Sequence, residues 1–249
     1  MVKKTIKIII EYDGTDYCGW QVQPRDRTVQ EVIEEAAARV LRHPVKLIGA
    51  GRTDSGVHAM GQVAGFSTSS DMEPERMKYA INGVLPKDVT IVDAEIVPDN
   101  FNARFDAQSR QYRYTISLRR RSIGRSFSWH VPFKLDTGLL RESTRCLEGE
   151  CNLRGFSKGQ DDDDYSTIIF NNQWIMQDSV IIFEISAIRF FHHAVRSIVG
   201  SAVDVGRGKA PPDHLERILT TRVRKLAGPT APARGLCLVS VDYGGQVHE

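Results

Sequence analysis

The sequence is poor in the features that define several large protein classes. Its four cysteines contain no C-x-x-C pair, which argues against a zinc knuckle or a redox pair and predicts reduced, structural thiols. Its longest apolar runs, at residues 8–10 and 180–183, are far shorter than the roughly 20 residues that a bilayer-spanning helix needs. We therefore expect no membrane span.

The amino terminus has two lysines but lacks the continuous apolar region and small-residue cleavage site of a secretory signal, so we expect a cytoplasmic protein. Net charge is only +2, and any surface for nucleic acid must therefore be a local patch. On composition alone, the simplest explanation of the positive clusters is that they are solvated parts of the surface. They lie at Arg119, Arg120, Arg121, Arg125, Arg207, Lys209, Arg222, Arg224 and Lys225.

The chain is long enough to bury a sizeable core. Its 249 residues are 41% hydrophobic and 26% charged, which is compatible with one large domain or with two halves. Length alone does not decide between these.

Hydrophobic periodicity predicts the same order of elements in each half of the chain: strand, helix, strand, strand, helix, strand. In the first half, Thr28 and Glu31 form a capping-box pattern that predicts a helix ending before Pro44. The other predicted elements of that half are strands at 5–12, 45–50, 60–67 and 89–97, and a helix at 74–85. Those of the second half are strands at 110–118, 166–176, 180–189 and 236–243, and helices at 136–149, 192–205 and around 215–219.

Two tandem βαββαβ units predict an α+β fold. We expect two ferredoxin-like halves, residues 1–105 and 106–249, that form a mixed, mainly antiparallel sheet with helices on one face. A central cleft between the halves is the expected place for a site. The acidic run at Asp161–Asp164 is predicted to be a loop rather than a metal cage.

Residues 51–59, Gly-Arg-Thr-Asp-Ser-Gly-Val-His-Ala, concentrate glycine and ionisable side chains between two predicted strands. Glycines there permit tight backbone turns. From the residues alone, a structural role is as acceptable as a functional one. Arg52 and Asp54 could form an ion pair that stabilises the turn, and His58 could be an ordinary buried or surface histidine. One turn does not identify a reaction.

Further motifs lie before and after this segment, along essentially the whole chain. They are at residues 12–15, 19–23, 28–30, 101–105, 110–114, 191–196, 199–200, 205–208, 231–232 and 235–236. Together with residues 51–59, they resemble in order the TruA family of tRNA pseudouridine synthases. The sequence departs from the family pattern at residues 152–157 and at Ala194, where a methionine is common. Because of these two departures, the resemblance does not decide which uridine is the target.

The resemblance implies an isomerase that moves the uracil attachment of a uridine from N1 to C5, without cofactor or metal. Asp54 matches the family's catalytic carboxylate, whose target is C1′, C6 or the 2′ proton. Arg196 matches the arginine that pairs with that carboxylate, and Tyr112 the active-site tyrosine that stacks on the uracil and can take part in proton transfer. The alternative for Arg196 is an arginine on the surface of a helix without a role in the site, and the alternative for Tyr112 is an aromatic residue of the core.

For substrate binding, the resemblance implies a tRNA anticodon stem-loop with target uridines at positions 38–40, bound by a homodimer. Arg52 corresponds to the residue proposed to fill the space left by the extruded base, and His58 to a structural or backbone-contacting residue of the same site. Clusters such as residues 119–121 and 222–225 would then contact phosphates. Two rival hypotheses remain, an enzyme of this fold acting on other uridines and a non-catalytic RNA-binding protein.

Overall fold

The computed structural model describes residues 3–159 and 164–244, and of the acidic run only Asp164 lies within them. These residues form ten strands and five α-helices. In chain order they are β1 (Lys4–Tyr12), α1 (Val29–Leu41), β2 (Ile48–Gly49), β3 (His58–Thr68), α2 (Pro74–Asn82), β4 (Val89–Val97), β5 (Ser109–Ser117), β6 (Trp129–His130), α3 (Thr137–Thr144), β7 (Gly149–Asn152), β8 (Ser166–Gln177), β9 (Val180–Ala187), α4 (Ala194–Gly206), α5 (His214–Thr221) and β10 (Leu236–Asp242).

The predicted α+β class and the mixed, mainly antiparallel sheet are confirmed. The ten strands belong to one sheet, in the order β4-β1-β3-β10-β5-β9-β8-β7, with β2 on β3 and β6 on β5. The pair of β5 and β6 is parallel. Cα packing separates the chain into two compact units: unit 1 draws its described residues from Met1–Gln108 and Leu238–Glu249, and unit 2 from Ser109–Cys237.

Unit 1 is built around β1, which is antiparallel to both β3 and β4. Alternate side chains of a strand point to opposite faces, and on β1 the residues Ile6, Ile8 and Ile10 are at most 1% exposed. α2 packs on β4 and α1 packs on α2. Ile33 of α1 and Met77 of α2 are also fully buried. Burial of each such side chain stabilises the folded state by about 1.5–3 kcal/mol.

A second apolar cluster of unit 1 lies where β2 leads into the glycine-rich loop. Ala50, Val63 and Ala103 form its buried centre, with Phe101 and Tyr243 packed against them. The Tyr243 hydroxyl donates to the carbonyl of Ala103 at 2.7 Å. This cluster fixes the first residue of the loop that carries Asp54.

The start of α1 confirms Thr28 as the residue that caps the helix. The Thr28 hydroxyl accepts from the amide of Glu31 at 3.4 Å, and the helix ends at Leu41. Arg42 follows in the left-handed region, with φ of 60°, and donates its amide to Ala38. The helix therefore stops before Pro44, as predicted.

Unit 2 contains β5, β9, β8 and β7 as antiparallel neighbours, and the predicted hairpin of β8 and β9 is confirmed. Its turn has two residues, Asp178 and Ser179, because Gln177 faces Val180. Tyr112 faces Ile185 across the β5–β9 ladder. α3, α4 and α5 pack on one another, and α3 also packs on β8.

Three element boundaries differ from the prediction. α3 ends at Thr144 rather than at Gly149, which has φ of 82° and begins the edge strand β7. The strand expected at 45–50 is reduced to β2. α4 begins at Ala194, because His193 before it is in the left-handed region with φ of 66°.

Among the described residues, no helix combines the length and the apolar character that a membrane crossing requires.

Candidate active site

Asp54 lies on the loop that joins β2 to β3 in unit 1. It is partly buried between Thr53 and Val57, which are 7% and 2% exposed, whereas Arg52 is exposed. The amide of Val57 donates to the carbonyl of Asp54 at 3.1 Å, and Gly56 adopts φ of 76° inside that turn. The loop thus presents the carboxylate-bearing residue from a tight, glycine-dependent turn.

A second segment, residues 12–20, holds this loop from both sides of Asp54. Before it, the amide of Trp20 donates to the carbonyl of Thr53 at 3.1 Å, and the Thr53 and Tyr12 hydroxyls bond at 2.8 Å. After it, the amide of Gly56 donates to the carbonyl of Tyr17 at 3.3 Å. The two motifs form one structure, so the backbone of Asp54 is positioned by residues more than thirty positions earlier.

Residues 12–20, here called the holding segment, contain two positions that must be glycine because the backbone of the Asp54 loop lies so close to them. A β-carbon at Gly14 would lie 2.0 Å from the carbonyl oxygen of Val57, and one at Gly19 would lie 2.6 Å from that of Thr53. Gly19 also has φ of 92°, which L side chains rarely adopt. Gly51, by contrast, has open space around the position of its missing β-carbon.

His58 is buried, at 3% exposure, at the start of β3. Its Nδ1 accepts from the amide of Gly14 at 3.1 Å, and Asp13 Oδ1 lies 3.1 Å from the same nitrogen. One nitrogen cannot accept from Gly14 and donate to Asp13 together. Because Asp13 Oδ1 already accepts from the amide and hydroxyl of Thr15, we assign the ring proton to Nε2. His58 therefore anchors the holding segment.

Two further residues of unit 1 support the loop. The buried side-chain amide of Gln62 donates to the carbonyl of Gly51 at 2.9 Å. The Tyr17 hydroxyl donates to Asp88 at 2.7 Å, and burial, with the Asp88 carboxylate next in importance, raises the pKa of Tyr17. The sequence does not predict either role. No local sequence signal marks Gln62, since its partner is set by the β2–β3 pairing.

In unit 2, Tyr112 lies on β5 and is 8% exposed. The ring of Phe190 meets it edge-on, with centroids 5.3 Å apart and planes at 89°. Such edge-to-face contacts orient a ring as well as burying it.

Arg196 lies in the first turn of α4 and is half-buried. Its Nε donates to the carbonyl of Ala231 at 2.8 Å, and the amide of Ala231 donates back to the carbonyl of Arg196 at 3.0 Å. A bond at Nε fixes the plane of the guanidinium group. The segment that follows α5 therefore orients Arg196.

Residues 228–231, here called the strap, lie along α4. A β-carbon at Gly200 would lie 1.8 Å from the carbonyl oxygen of Pro229. The Gly228 amide donates to Ser201, and Arg224 donates to both Ser197 and Thr230. Small residues on α4 thus let the strap come close enough for Ala231 to reach Arg196.

Tyr114, two residues after Tyr112 on β5, links the strand to this region. It is fully buried, and its hydroxyl donates to the carbonyl of Pro232 at 2.7 Å. Burial raises the pKa of Tyr114 far above its usual value, although the positive charges of Arg196 and Arg234 act to lower it. Tyr114 of β5 and Arg196 of α4 therefore bond to the carbonyls of two consecutive residues, Pro232 and Ala231.

The predicted site residues are thus distributed over both units. Unit 1 brings Arg52, Asp54 and His58 onto one loop and its flanking strand, and unit 2 carries Tyr112 on β5 and Arg196 on α4. Unit 1 positions the Asp54 loop mainly through backbone bonds to residues 12–20, whereas unit 2 orients the side chains of Tyr112 and Arg196 through Phe190 and Ala231.

Comparisons with known proteins identify the class to which this arrangement belongs. The family description "tRNA pseudouridine synthase" matches residues 8–106 and 144–244, which include the Asp54 loop and α4. The chain belongs to this family, whose members are isomerases.

Curated relatives named tRNA pseudouridine synthase A agree over almost the full length. The protein of Exiguobacterium sibiricum is 39% identical over 242 residues, 96% of this chain and 97% of that protein. The protein of Syntrophotalea carbinolica is 38% identical, covering 97% of each, and that of Acetivibrio thermocellus is 40% identical, covering 96% of this chain and all of its own length. These similarities place the chain with the TruA family.

Proposed function

We propose that the chain isomerises uridine to pseudouridine in the anticodon stem-loop of tRNA, at positions 38–40, with Asp54 as the catalytic carboxylate. The observation that carries the proposal is the Asp54 loop, which matches the family signature and is held on both sides by the motif at residues 12–20. A carboxylate used as nucleophile or base needs a fixed position relative to its target atom. The contacts around Thr53 and Gly56 supply one.

The reaction needs one carboxylate and no net redox change. The bond from N1 to C1′ breaks, the uracil rotates, and a bond from C5 to C1′ forms. The proton at C5 is lost and N1 gains one, so that product and substrate are isomers. Asp54 attacks C1′, attacks C6, or assists loss of the 2′ proton, and the geometry of the loop is compatible with each of these roles.

We further propose that Arg196 and Tyr112 act with Asp54 on the same uridine. Support comes from the family motifs and from the way unit 2 fixes each side chain, Arg196 through Ala231 and Tyr112 through Phe190. An arginine beside a carboxylate favours its ionised form and orients it. A tyrosine ring offers a stacking surface for the extruded base.

Arg52 and His58 have the weaker assignments within this proposal. Arg52 is exposed two residues before Asp54, as a side chain that enters the emptied base stack would need to be. His58 is buried and accepts from Gly14, which favours its structural role over direct substrate contact. Substrate contact by His58 stays a prediction.

The remaining parts of the proposal concern assembly. The order of strands in the sheet supports the proposal of two ferredoxin-like halves. A central cleft as the place of reaction stays a prediction. By family membership, a homodimer is the expected binding form and no cofactor or metal is expected.

Tritium release from tRNA transcripts labelled at uridine C5 tests the substrate. We expect release from a transcript with uridines at positions 38–40, and none when those three are replaced by cytidine. Release that persists after the replacement would favour an enzyme acting on other uridines. No release from any tRNA by folded protein would favour the non-catalytic RNA-binding alternative.

A further inference from the structure

Two arginines of unit 2 converge on one neutral hydroxyl group. Arg119 Nε donates to Ser179 Oγ at 3.1 Å, and an Arg121 terminal nitrogen lies 3.4 Å from the same oxygen. Ser179 is itself fixed, because it lies in the two-residue β8–β9 turn and its carbonyl accepts from the amide of Leu118 at 2.8 Å. The two guanidinium groups are therefore within two hydrogen-bond lengths of each other.

No anion in the described part of the chain compensates this pair of charges. Within residues 3–159 and 164–244, no carboxylate forms an ion pair with Arg119 or Arg121. Like charges at such a distance repel, and a hydroxyl acceptor offers little to offset the repulsion. An anion placed between the two guanidinium groups would convert repulsion into attraction.

Arg121 also has an unused donor. Its Nε is shielded from solvent and has no hydrogen-bond acceptor. A shielded donor without an acceptor is uncommon, and it calls for a specific explanation such as an absent ion. Rotation of the guanidinium group toward a phosphate would gain bonds while giving up only one long contact to Ser179.

The second positive cluster predicted from the sequence, residues 222–225, differs in this respect. Arg224 donates to Ser197 at 3.1 Å and to Thr230 at 3.0 Å, and so it joins α4 to the strap. Its guanidinium group has a structural task. Among the described residues, the guanidinium groups of Arg119 and Arg121 instead hydrogen-bond only to the hydroxyl of Ser179, and neither joins two elements as Arg224 does.

We propose that Arg119 and Arg121, arranged around Ser179, form a clamp for one phosphodiester group of the RNA backbone. The inference rests on the proposed function, which supplies the RNA, and adds a place where that RNA is anchored. Two planar guanidinium groups with fork-like donors suit the oxygens of one phosphate. The clamp reads no base and would position the stem-loop without selecting its sequence.

The clamp lies at the far end of the strand that carries Tyr112. Ser117 lies five positions after Tyr112 on β5, which corresponds to about 17 Å at the usual strand rise. Arg119 and Arg121 lie beyond that end. This spacing suits a backbone contact several nucleotides away from the reacting uridine.

The test is equilibrium binding of an anticodon stem-loop RNA over a range of salt concentrations. For the double variant Arg119→Gln/Arg121→Gln we expect binding about tenfold weaker, with the slope of log K against log salt reduced by about one, as for loss of one phosphate. Arg120→Gln is the matched control, because Arg120 is exposed in the same segment but does not contact Ser179. A twofold change or less in the double variant, or an equal loss in Arg120→Gln, would overturn the clamp.

A second pair of variants separates binding from folding. Ser179→Asp places a carboxylate inside the clamp, so we expect a higher melting temperature together with weaker RNA binding. Gln177→Asp adds the same charge at an exposed position two residues away and should change neither by as much. Weaker binding without stabilisation, or equal effects of both variants, would contradict an anion site at Ser179.

The outcome is distinguishable from failure of the proposed function. If wild-type protein releases tritium from tRNA and the double variant binds RNA normally, the clamp is wrong and the enzyme assignment stands. If the wild type releases no tritium but loses RNA binding on removal of the two arginines, the clamp stands and the assigned reaction is wrong.

Discussion

The Asp54 loop of unit 1 and the Arg196 turn of unit 2 are positioned in different ways. Asp54 lies on an irregular loop whose backbone is held directly by residues 12–20, through Trp20, Tyr17 and the close approach of Gly14. Arg196 belongs to a regular helix, and what holds its side chain is the strap, through Ala231. A close approach at a glycine supports each arrangement, at Gly14 in unit 1 and at Gly200 in unit 2. Only in unit 1 does the glycine lie directly against the loop that carries the functional residue.

Because of this difference, substitutions near the Asp54 loop should disturb the site more than substitutions near Arg196. A loop without regular hydrogen bonds takes its conformation from its neighbours, so a shifted neighbour moves Asp54 itself. A helix keeps its backbone when a neighbour shifts, so a displaced strap would release the side chain of Arg196 but leave α4 in place. The two units should therefore respond differently to equivalent substitutions.

The largest effect is expected from Gly14→Ala. Its β-carbon would overlap the carbonyl of Val57, and we expect a loss of about 3 kcal/mol in the free energy of unfolding and loss of nearly all turnover. Gly51→Ala is the control, since open space surrounds that position. Chemical denaturation and tritium release measure both. Normal turnover in Gly14→Ala would show that the holding segment does not position Asp54.

A smaller effect is expected from Arg196→Lys, which keeps the charge but cannot reproduce the planar fork or the bond from Nε to Ala231. We expect turnover to fall about a hundredfold, through kcat more than KM, because a charge that orients the carboxylate acts in the transition state. The melting temperature should change little. Arg217→Gln, at an exposed position of α5, is the control. A change confined to KM would assign Arg196 to substrate binding alone.

Tyr12→Phe should have a moderate effect on stability and a slight one on turnover. The substitution removes the hydroxyl that meets Thr53 at 2.8 Å and leaves a buried partner short of one bond, which costs about 1–2 kcal/mol. Urea denaturation measures this cost. Tyr79→Phe, at a 67% exposed position, should leave stability unchanged and serves as the comparison. Equal stability of Tyr12→Phe and wild type would show that Trp20 and Tyr17 suffice to hold the loop.

The smallest effect concerns alkaline pH. Burial raises the pKa of Tyr17 and of Tyr114 above the ordinary tyrosine value, so the unfolded chain loses these protons first. Their contribution to stability is fully present below about pH 10 and is lost as pH rises above it. Urea midpoints should therefore fall less steeply in Tyr114→Phe than in wild type. An unchanged slope would show that Tyr114 does not titrate differently in the folded state.

Much of the fold could be predicted from the sequence, because its longer elements carry a strong period. The alternation of Ile6, Ile8 and Ile10 marks β1, and the Thr28 cap marks the start of α1. The short strands β6 and β7 could not be predicted, since two to four residues carry no period and depend on their pairing partners. The sequence pattern predicts Gly149 at the end of a helix, but in the structure this residue has a positive φ and begins a strand.

The candidate site was predictable in its residues but not in its supports. The signature at residues 51–59 and its resemblance to the family identify Asp54 as the candidate carboxylate. Nothing in the sequence reveals that Gly14 lies against Val57, or that Ala231 holds the guanidinium group of Arg196. Such contacts join residues far apart in the chain and arise only when the backbone has been folded.

The most direct test of the central claim compares tritium release by wild-type protein with that by Asp54→Asn, at equal occupancy by tRNA. Asp16→Asn, exposed in the segment that holds the loop, controls for the change of charge. Asp54→Asn should fold and bind tRNA normally and lose turnover by about a thousandfold or more, because removal of an essential catalytic group has an effect of this order. Release by Asp54→Asn at a rate near that of the wild type would contradict the assignment of Asp54 as the catalytic carboxylate.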